Sequence, residues 1–124
     1  MDKVVCPRLY ADAQGESHFD EVEIPLQSTA TPWGAPLDIS SPVPAACWLF
    51  AGASPGSFFD WHTVAFPQLG IVVGGEIEIR TSDGQARLLK RGDYLLAEDT
   101  TGKGHQGRVV GAEPVLYIFV NPSM

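Results

Sequence analysis

The sequence has few cysteines, few basic residues and no long apolar run. Its two cysteines, Cys6 and Cys47, do not make a disulfide framework, and neither has the neighbours of a metal or redox motif. Eight lysines and arginines against 15 aspartates and glutamates give a formal net charge of −7. An acidic chain repels phosphate backbones, so no nucleic-acid partner is expected. No apolar run approaches the ~20 residues that cross a bilayer, so no membrane partner is expected either.

The first residues lack the apolar core and the small-residue cleavage site of a signal peptide. Free thiols are the ordinary state of two isolated cysteines. These two observations predict a cytoplasmic protein.

Convincing helical periodicity is also missing, whereas turn-forming residues are abundant. The 13 glycines and 10 prolines in 124 residues favour short strands joined by turns. Residues 76–80 alternate between polar and apolar, which is typical of a strand with one wet face, and residues 82–85 are a hairpin signal. The other predicted strand segments are residues 8–10, 18–24, 47–51, 60–64, 68–73, 86–90, 94–97, 109–110 and 115–120. The chain is therefore predicted to be a single all-β domain with a double-sheet barrel.

The N-terminal third differs from the rest. Residues 1–45 are interpreted as an arm, to about Leu26, followed by a proline-rich segment, and residues 46–124 as the barrel. Residues 27–45 hold four prolines, which lack a backbone donor and predict irregular chain. Because this segment also carries Trp33, Leu37, Ile39 and Val43, we expect it to pack over the barrel.

Five residues occur at fixed spacing in the first half of the barrel: Gly56, His62, Val64, Gln68 and Gly75. The frame Gly-x5-His-x-Val-x3-Gln-x6-Gly resembles the first motif of the cupin superfamily. In that motif, Gly-x5-His-x-His-x3-Glu-x6-Gly, the two histidines and the glutamate bind a metal inside a small β-barrel. Val64 stands at the second histidine position, and Gln68 stands at the glutamate position. The resemblance implies a cupin-type double-stranded β-helix (jelly-roll) barrel with an altered metal site.

A second stretch, from Gly92 to His105, is similar to the second cupin motif. It ends in Gly-Lys-Gly-His, so that His105 matches the histidine of that motif, while Thr100 stands at the usual proline position and two extra residues follow Gly92. Residues 15–19 and 96–105 resemble a group of small single-domain cupins without a firmly assigned reaction.

The resemblance implies that His62, Gln68 and His105 converge on the barrel cavity as ligand-binding residues and as metal ligands. Imidazole suits zinc, iron or nickel, and manganese is a further candidate ion. Equally, both histidines can be hydrogen-bonded residues of an apolar cavity, and Gln68 can orient a neighbouring histidine. Alternation along a strand places Asp60 and Val64 inward with His62. Thus His62 and Asp60 are the catalytic candidates.

Three function classes remain open at this point. The first is a barrel that binds a small-molecule ligand, with metal optional. The second is a metal-dependent cupin enzyme of dioxygenase, isomerase or lyase type. The third is a metal-independent isomerase or epimerase, because cupin-like epimerases use a histidine–aspartate pair.

We also expect a homodimer. Its arm would cross to, or pack on, the partner's sheet, unless the arm folds back on its own barrel. Asp99 and Lys103 flank the expected barrel mouth, where each could also be solvated or pin the loop. His18 lies beside acidic residues and is expected at the surface.

Overall fold

The computed structural model describes residues 1–121, and within them the chain forms twelve β-strands and no helix. The described residues contain no helix that is long and apolar enough to cross a membrane. The strands are β1 (Lys3–Ala11), β2 (Ser17–Pro25), β3 (Gln27–Thr29), β4 (Leu37–Ile39), β5 (Cys47–Ala53), β6 (Phe58–His62), β7 (Gln68–Gly74), β8 (Glu76–Thr81), β9 (Ala86–Lys90), β10 (Tyr94–Ala97), β11 (His105–Val110) and β12 (Val115–Asn121). The prediction of an all-β chain is confirmed.

Two sheets face each other across a common interior. The larger has six strands in the order β2-β1-β10-β7-β12-β5, and the smaller has four in the order β6-β11-β8-β9. Neighbouring strands are antiparallel except for β1 and β10, which are parallel. This is the double-stranded β-helix expected from the two motifs.

The core follows from the alternation of side chains along the strands. Ile77 and Ile79 on β8 are buried, whereas Glu78 and Arg80 lie on the outer side and form an ion pair of 2.9 Å. The buried cluster takes apolar residues from both sheets, namely Leu9, Val72, Ile77, Ile79, Leu89, Leu95, Val109 and Val115. Cys6 is also buried and Cys47 is partly exposed, and both are free thiols.

The N-terminal arm is part of the six-stranded sheet of its own chain. β1 pairs along its whole length with β2 and, through Arg8 and Leu9, with β10. The Arg8 guanidinium forms an ion pair with the Asp20 carboxylate on β2 and lies 3.4 Å from Glu98 Oε1. Of the two possibilities that the sequence left open, the arm therefore folds back on its own barrel.

The proline-rich segment does not cover the barrel of its own chain. Residues 27–45 contain the small β3–β4 hairpin, and nearly all of them are exposed. Trp33 keeps 83% of its surface and Val43 keeps 76%. The expectation that this segment packs over the barrel is wrong for the single chain, because its apolar residues Trp33, Leu37, Ile39 and Val43 are all exposed.

Candidate functional site

A cavity of about 300 Å³ lies between the two sheets. Most of its wall is apolar, and the lining residues within the described chain include neither lysine, arginine, aspartate nor glutamate. Its polar side chains include His62, Gln68 and His105, which the sequence predicted to converge. The structure brings these three together because the end of β6, the start of β7 and the start of β11 meet at one end of the barrel.

The two cavity histidines lie next to each other. His62 and His105 are paired across β6 and β11, and their ring centroids are 4.4 Å apart. The Nδ1–H of His62 donates to the backbone carbonyl of Asp60 at 2.6 Å. That hydrogen bond leaves Nε2 of His62 as the nitrogen available to a molecule in the cavity.

A buried carboxylate orients His105. The Nδ1–H of His105 donates to Asp99 Oδ2 at 2.6 Å, and Asp99 is fully buried. The second oxygen, Oδ1, has no partner within the described chain. Asp99 therefore fixes the orientation of the His105 ring, so that Nε2 is the nitrogen left for the cavity. Of the roles considered for Asp99, the structure shows that it pins the loop, through its hydrogen bond to His105.

Gly104 allows the His105 loop to pass directly against β6. It has φ +74°, and a Cβ at this position would lie 2.0 Å from the carbonyl oxygen of His62. Because a side chain would collide with backbone here, only glycine fits without a shift of one segment. The short Gly-Lys-Gly-His sequence thus sets the distance between the two histidines.

Asp60 does not reach the cavity. Its Oδ1 accepts hydrogen bonds from Gln106 Nε2 at 2.9 Å and from the backbone of Trp61 at 2.8 Å, on the exposed side. Chiefly through the Gln106 contact, the pKa of this carboxyl is lowered. The expectation that Asp60 points inward with His62 is therefore wrong, and no carboxylate contact joins the two.

A β-bulge is the physical reason why Asp60 faces away from the cavity. The register of β6 and β11 shifts between the pairs His105–His62 and Gly107–Phe59, so β6 holds one residue more than β11 in this interval. An extra residue breaks the period of two. Phe59 and His62 consequently both line the cavity, although they are three positions apart.

The donors present do not fit a tightly held transition metal. His62, His105 and Gln68 offer neutral donors, and Val64 lines the cavity with no lone pair. The carboxylate of Asp99 is bonded to His105. Across residues 1–121, no group of three or more histidine, cysteine, aspartate or glutamate side chains is placed to hold a metal. The anionic ligand that balances zinc, iron, nickel or manganese is therefore missing from this set.

The turn between β1 and β2 holds the His105 loop in place. Ser17 Oγ donates to the carbonyl of Gly104 at 2.6 Å, and Lys103 Nζ donates to Glu16 Oε2 at 2.7 Å. The backbone N–H of Lys103 also donates to the carbonyl of Gly15. The Gly-Glu-Ser run noted in the sequence thus positions the cavity histidine, and Lys103 is held away from a ligand-binding role.

His18 is partly exposed, and it joins the arm to the β8–β9 hairpin. Its Nε2 lies 2.7 Å from Asp12 Oδ2, and its Nδ1 lies 2.9 Å from Asp83 Oδ2. The hydrogen bond to Asp12 raises the pKa of His18 above its ordinary value, burial opposes this, and Asp83 adds to the increase. The same contact with His18 lowers the pKa of Asp12.

The contacts of His18 with Asp12 and Asp83 predict that part of the free energy of unfolding depends on pH. The pKa of His18 is raised in the folded protein. Its contribution to the free energy of unfolding is therefore complete below the pKa of the unfolded state, about 6.5. That contribution is lost as the pH rises through the pKa of the folded state. We expect His18→Gln to reduce the free energy of unfolding in mildly acidic buffer and to have little effect in alkaline buffer. Urea denaturation of both proteins across this range measures the difference, and a pH-independent difference would contradict the charged pair.

Sequence similarity to a curated protein covers a short stretch of the chain. No protein-family profile matches the chain. A stretch of 46 residues is 37% identical to Oryzines biosynthesis cluster protein J of Aspergillus oryzae. This match covers 37% of this chain and 26% of that protein. The chain thus spans about a quarter of that curated relative.

The chain is similar to two solved structures. One is an uncharacterized conserved protein with a double-stranded β-helix domain from Klebsiella pneumoniae. It has a TM-score of 0.50 and 28% identity, over 61% of this chain and 66% of that one. A cupin-2 domain containing protein from Shewanella frigidimarina has a TM-score of 0.48 and 21% identity, over 60% of this chain and 68% of its own. The Klebsiella structure and the two facing sheets agree with the motif frame, so this chain has a cupin-type double-stranded β-helix fold.

Proposed function

We propose that the barrel binds a small, uncharged and mainly apolar organic molecule, which His62, Gln68 and His105 hold by one polar group. The observation that carries this proposal is the cavity itself: about 300 Å³ of mostly apolar wall with a few polar groups at one end. Small-molecule sites typically have this composition, and this volume lies at the lower end of their range. The ligand class is therefore a single-ring or short-chain compound.

The charge of the lining supports an uncharged ligand. Within the described chain, lysine and arginine are absent from the wall, so a phosphate or a dicarboxylate would lack a cationic partner there. The Nε2 atoms of His62 and His105 are available for hydrogen bonds to a ligand, while the Gln68 amide both donates and accepts. A hydroxyl, amide or ketone group matches these partners.

The three histidines of the chain allow a direct test of binding. We expect benzamide, a neutral aromatic amide, to shift the ring NMR signals of His62 and His105. The signals of His18, which lies outside the cavity lining, should not move. Equal shifts at all three histidines, or none at the cavity pair, would contradict the proposal.

A matched pair of variants locates the binding. Ala65 lines the cavity and is exposed, so Ala65→Trp should obstruct the mouth and weaken benzamide binding at least about tenfold, by roughly 1.4 kcal/mol. Ala86 is exposed on β9 and outside the cavity lining, and Ala86→Trp should leave the affinity unchanged.

The Asp99–His105 pair favours a second candidate, metal-independent acid–base catalysis. His105 Nε2 would take a proton from the carbon beside a ketone and return it to that carbon, so that no atom or electron is gained or lost. The amide N–H of Gln68, which also lines the cavity, is the donor for the ketone oxygen. This is the isomerase or epimerase class, with Asp99 and His105 in place of Asp60 and His62.

Deuterium exchange into acetophenone tests this candidate. The wild-type protein should accelerate exchange at the methyl group, and Asp99→Asn should slow it about a hundredfold while benzamide binding persists. If both proteins give the rate of the buffer, the chain is a binding barrel without this chemistry.

A further inference from the structure

A tyrosine lines the cavity at the end away from the two histidines. Tyr117 on β12 is paired with Val72 on β7, and both residues line the cavity. Val72 follows Gln68 along the same strand at a distance of roughly 13 Å. Because side chains stand nearly perpendicular to a sheet, Tyr117 enters the interior at a different level from Gln68. The cavity therefore has polar side chains at two levels.

The surroundings of Tyr117 are apolar. Phe119 is the next inward residue on β12, and the two ring centroids are 4.6 Å apart. Tyr117 also packs against the buried cluster that contains Val72, Ile77 and Leu89. A hydroxyl group in such surroundings costs free energy unless it forms a hydrogen bond.

The protein does not supply that hydrogen bond within residues 1–121. Burial raises the pKa of Tyr117, and no hydrogen bond from this part of the chain contributes to the change. Tyr117 is therefore a neutral phenol near pH 7, which donates one hydrogen bond and accepts another. Because buried polar groups in proteins are nearly always paired, a molecule inside the cavity is the partner that its lining leaves open to Tyr117.

We propose that the ligand of this cavity carries a second polar group, a carbonyl oxygen, which accepts a hydrogen bond from the Tyr117 hydroxyl. This inference rests on the proposed function and narrows its ligand class. The two cavity histidines and Gln68 hold the first polar group, and Tyr117 holds the second. Phe119, paired with Gly70, lines the cavity between these two levels, where an aromatic ring fits. The ligand is thus a single ring with polar groups at opposite ends.

Two benzamides of similar shape test this inference. 4-Acetylbenzamide has a carbonyl oxygen opposite its amide, and 4-isopropylbenzamide has a methyl group in place of that oxygen. We expect Tyr117→Phe to weaken the binding of 4-acetylbenzamide about tenfold or more, because the buried carbonyl loses its donor. The affinity for 4-isopropylbenzamide should stay within about twofold, which also shows that the variant is folded. Isothermal titration calorimetry measures both affinities.

Tyr94→Phe is the matched control, because Tyr94 is partly exposed on β10 and lies outside the lining of this cavity. Removing its hydroxyl should change neither affinity. Equal effects of Tyr117→Phe on the two compounds, or no effect on either, would overturn the inference. It would also be overturned if benzamide shifted the signals of His62 and His105 while neither substituted compound bound, and the proposed function would then stand. Absence of benzamide binding would overturn both.

Discussion

Replacing Val64 by histidine and Gln68 by glutamate should raise the affinity of the barrel for zinc or nickel by roughly three orders of magnitude. Both side chains line the cavity with His62 and His105. The histidine would add a nitrogen donor where an isopropyl group now has no lone pair, and the glutamate would add the missing negative charge. Competition with a chromophoric chelator measures the gain.

The two single variants and one triple variant show whether the motif positions produce the gain in metal affinity. Each single substitution should give only part of the gain, and a further His105→Gln change should remove most of it. Thermal unfolding without metal checks that histidine fits at the buried Val64 position. Wild-type protein that kept one equivalent of metal through chelator dialysis would show that the present donors do form a tight site.

Local sequence patterns were sufficient for most of the fold. Residues 86–90 and 94–97 are strands with the predicted bounds, and alternation at residues 76–80 gave the correct buried face, with Ile77 and Ile79 inside. These patterns are reliable because they depend on one strand and its two faces. The cupin motif supplied the connection between the strands, which periodicity alone does not contain.

The site was harder to predict because it depends on contacts between strands. The bulge that turns Asp60 outward arises from the register of β6 against β11, which the sequence of β6 does not encode. Asp99 was noted only as a possible mouth residue, since its contact with His105 requires the loop to fold back over six residues. The available signal was an acidic pair, Glu98 and Asp99, directly after a strand that faces the cavity.

The proline-rich segment was misplaced for a different reason. Its apolar content favoured packing over the barrel, but composition does not determine which surface an apolar segment contacts. The structure shows this segment exposed on its own chain.

Gly104→Ala should destabilise the protein by at least about 3 kcal/mol. The left-handed backbone of Gly104 would cost an alanine about 1–2 kcal/mol. The new Cβ would also lie 2.0 Å from the carbonyl oxygen of His62, and backbone on one side must then move. Because His105 is the next residue, the same shift should separate the two cavity rings and weaken benzamide binding.

Gly111→Ala is the matched control. It separates the free-energy cost of the left-handed backbone from the cost of the collision with the carbonyl oxygen of His62. Gly111 has φ +79°, close to the +74° of Gly104, but the nearest atom to its added Cβ is a Glu76 side-chain oxygen at 3.8 Å. Urea denaturation should therefore give a loss of only about 1–2 kcal/mol for Gly111→Ala. Similar losses for both variants, with benzamide binding intact, would mean that Gly104 does not set the distance between His62 and His105.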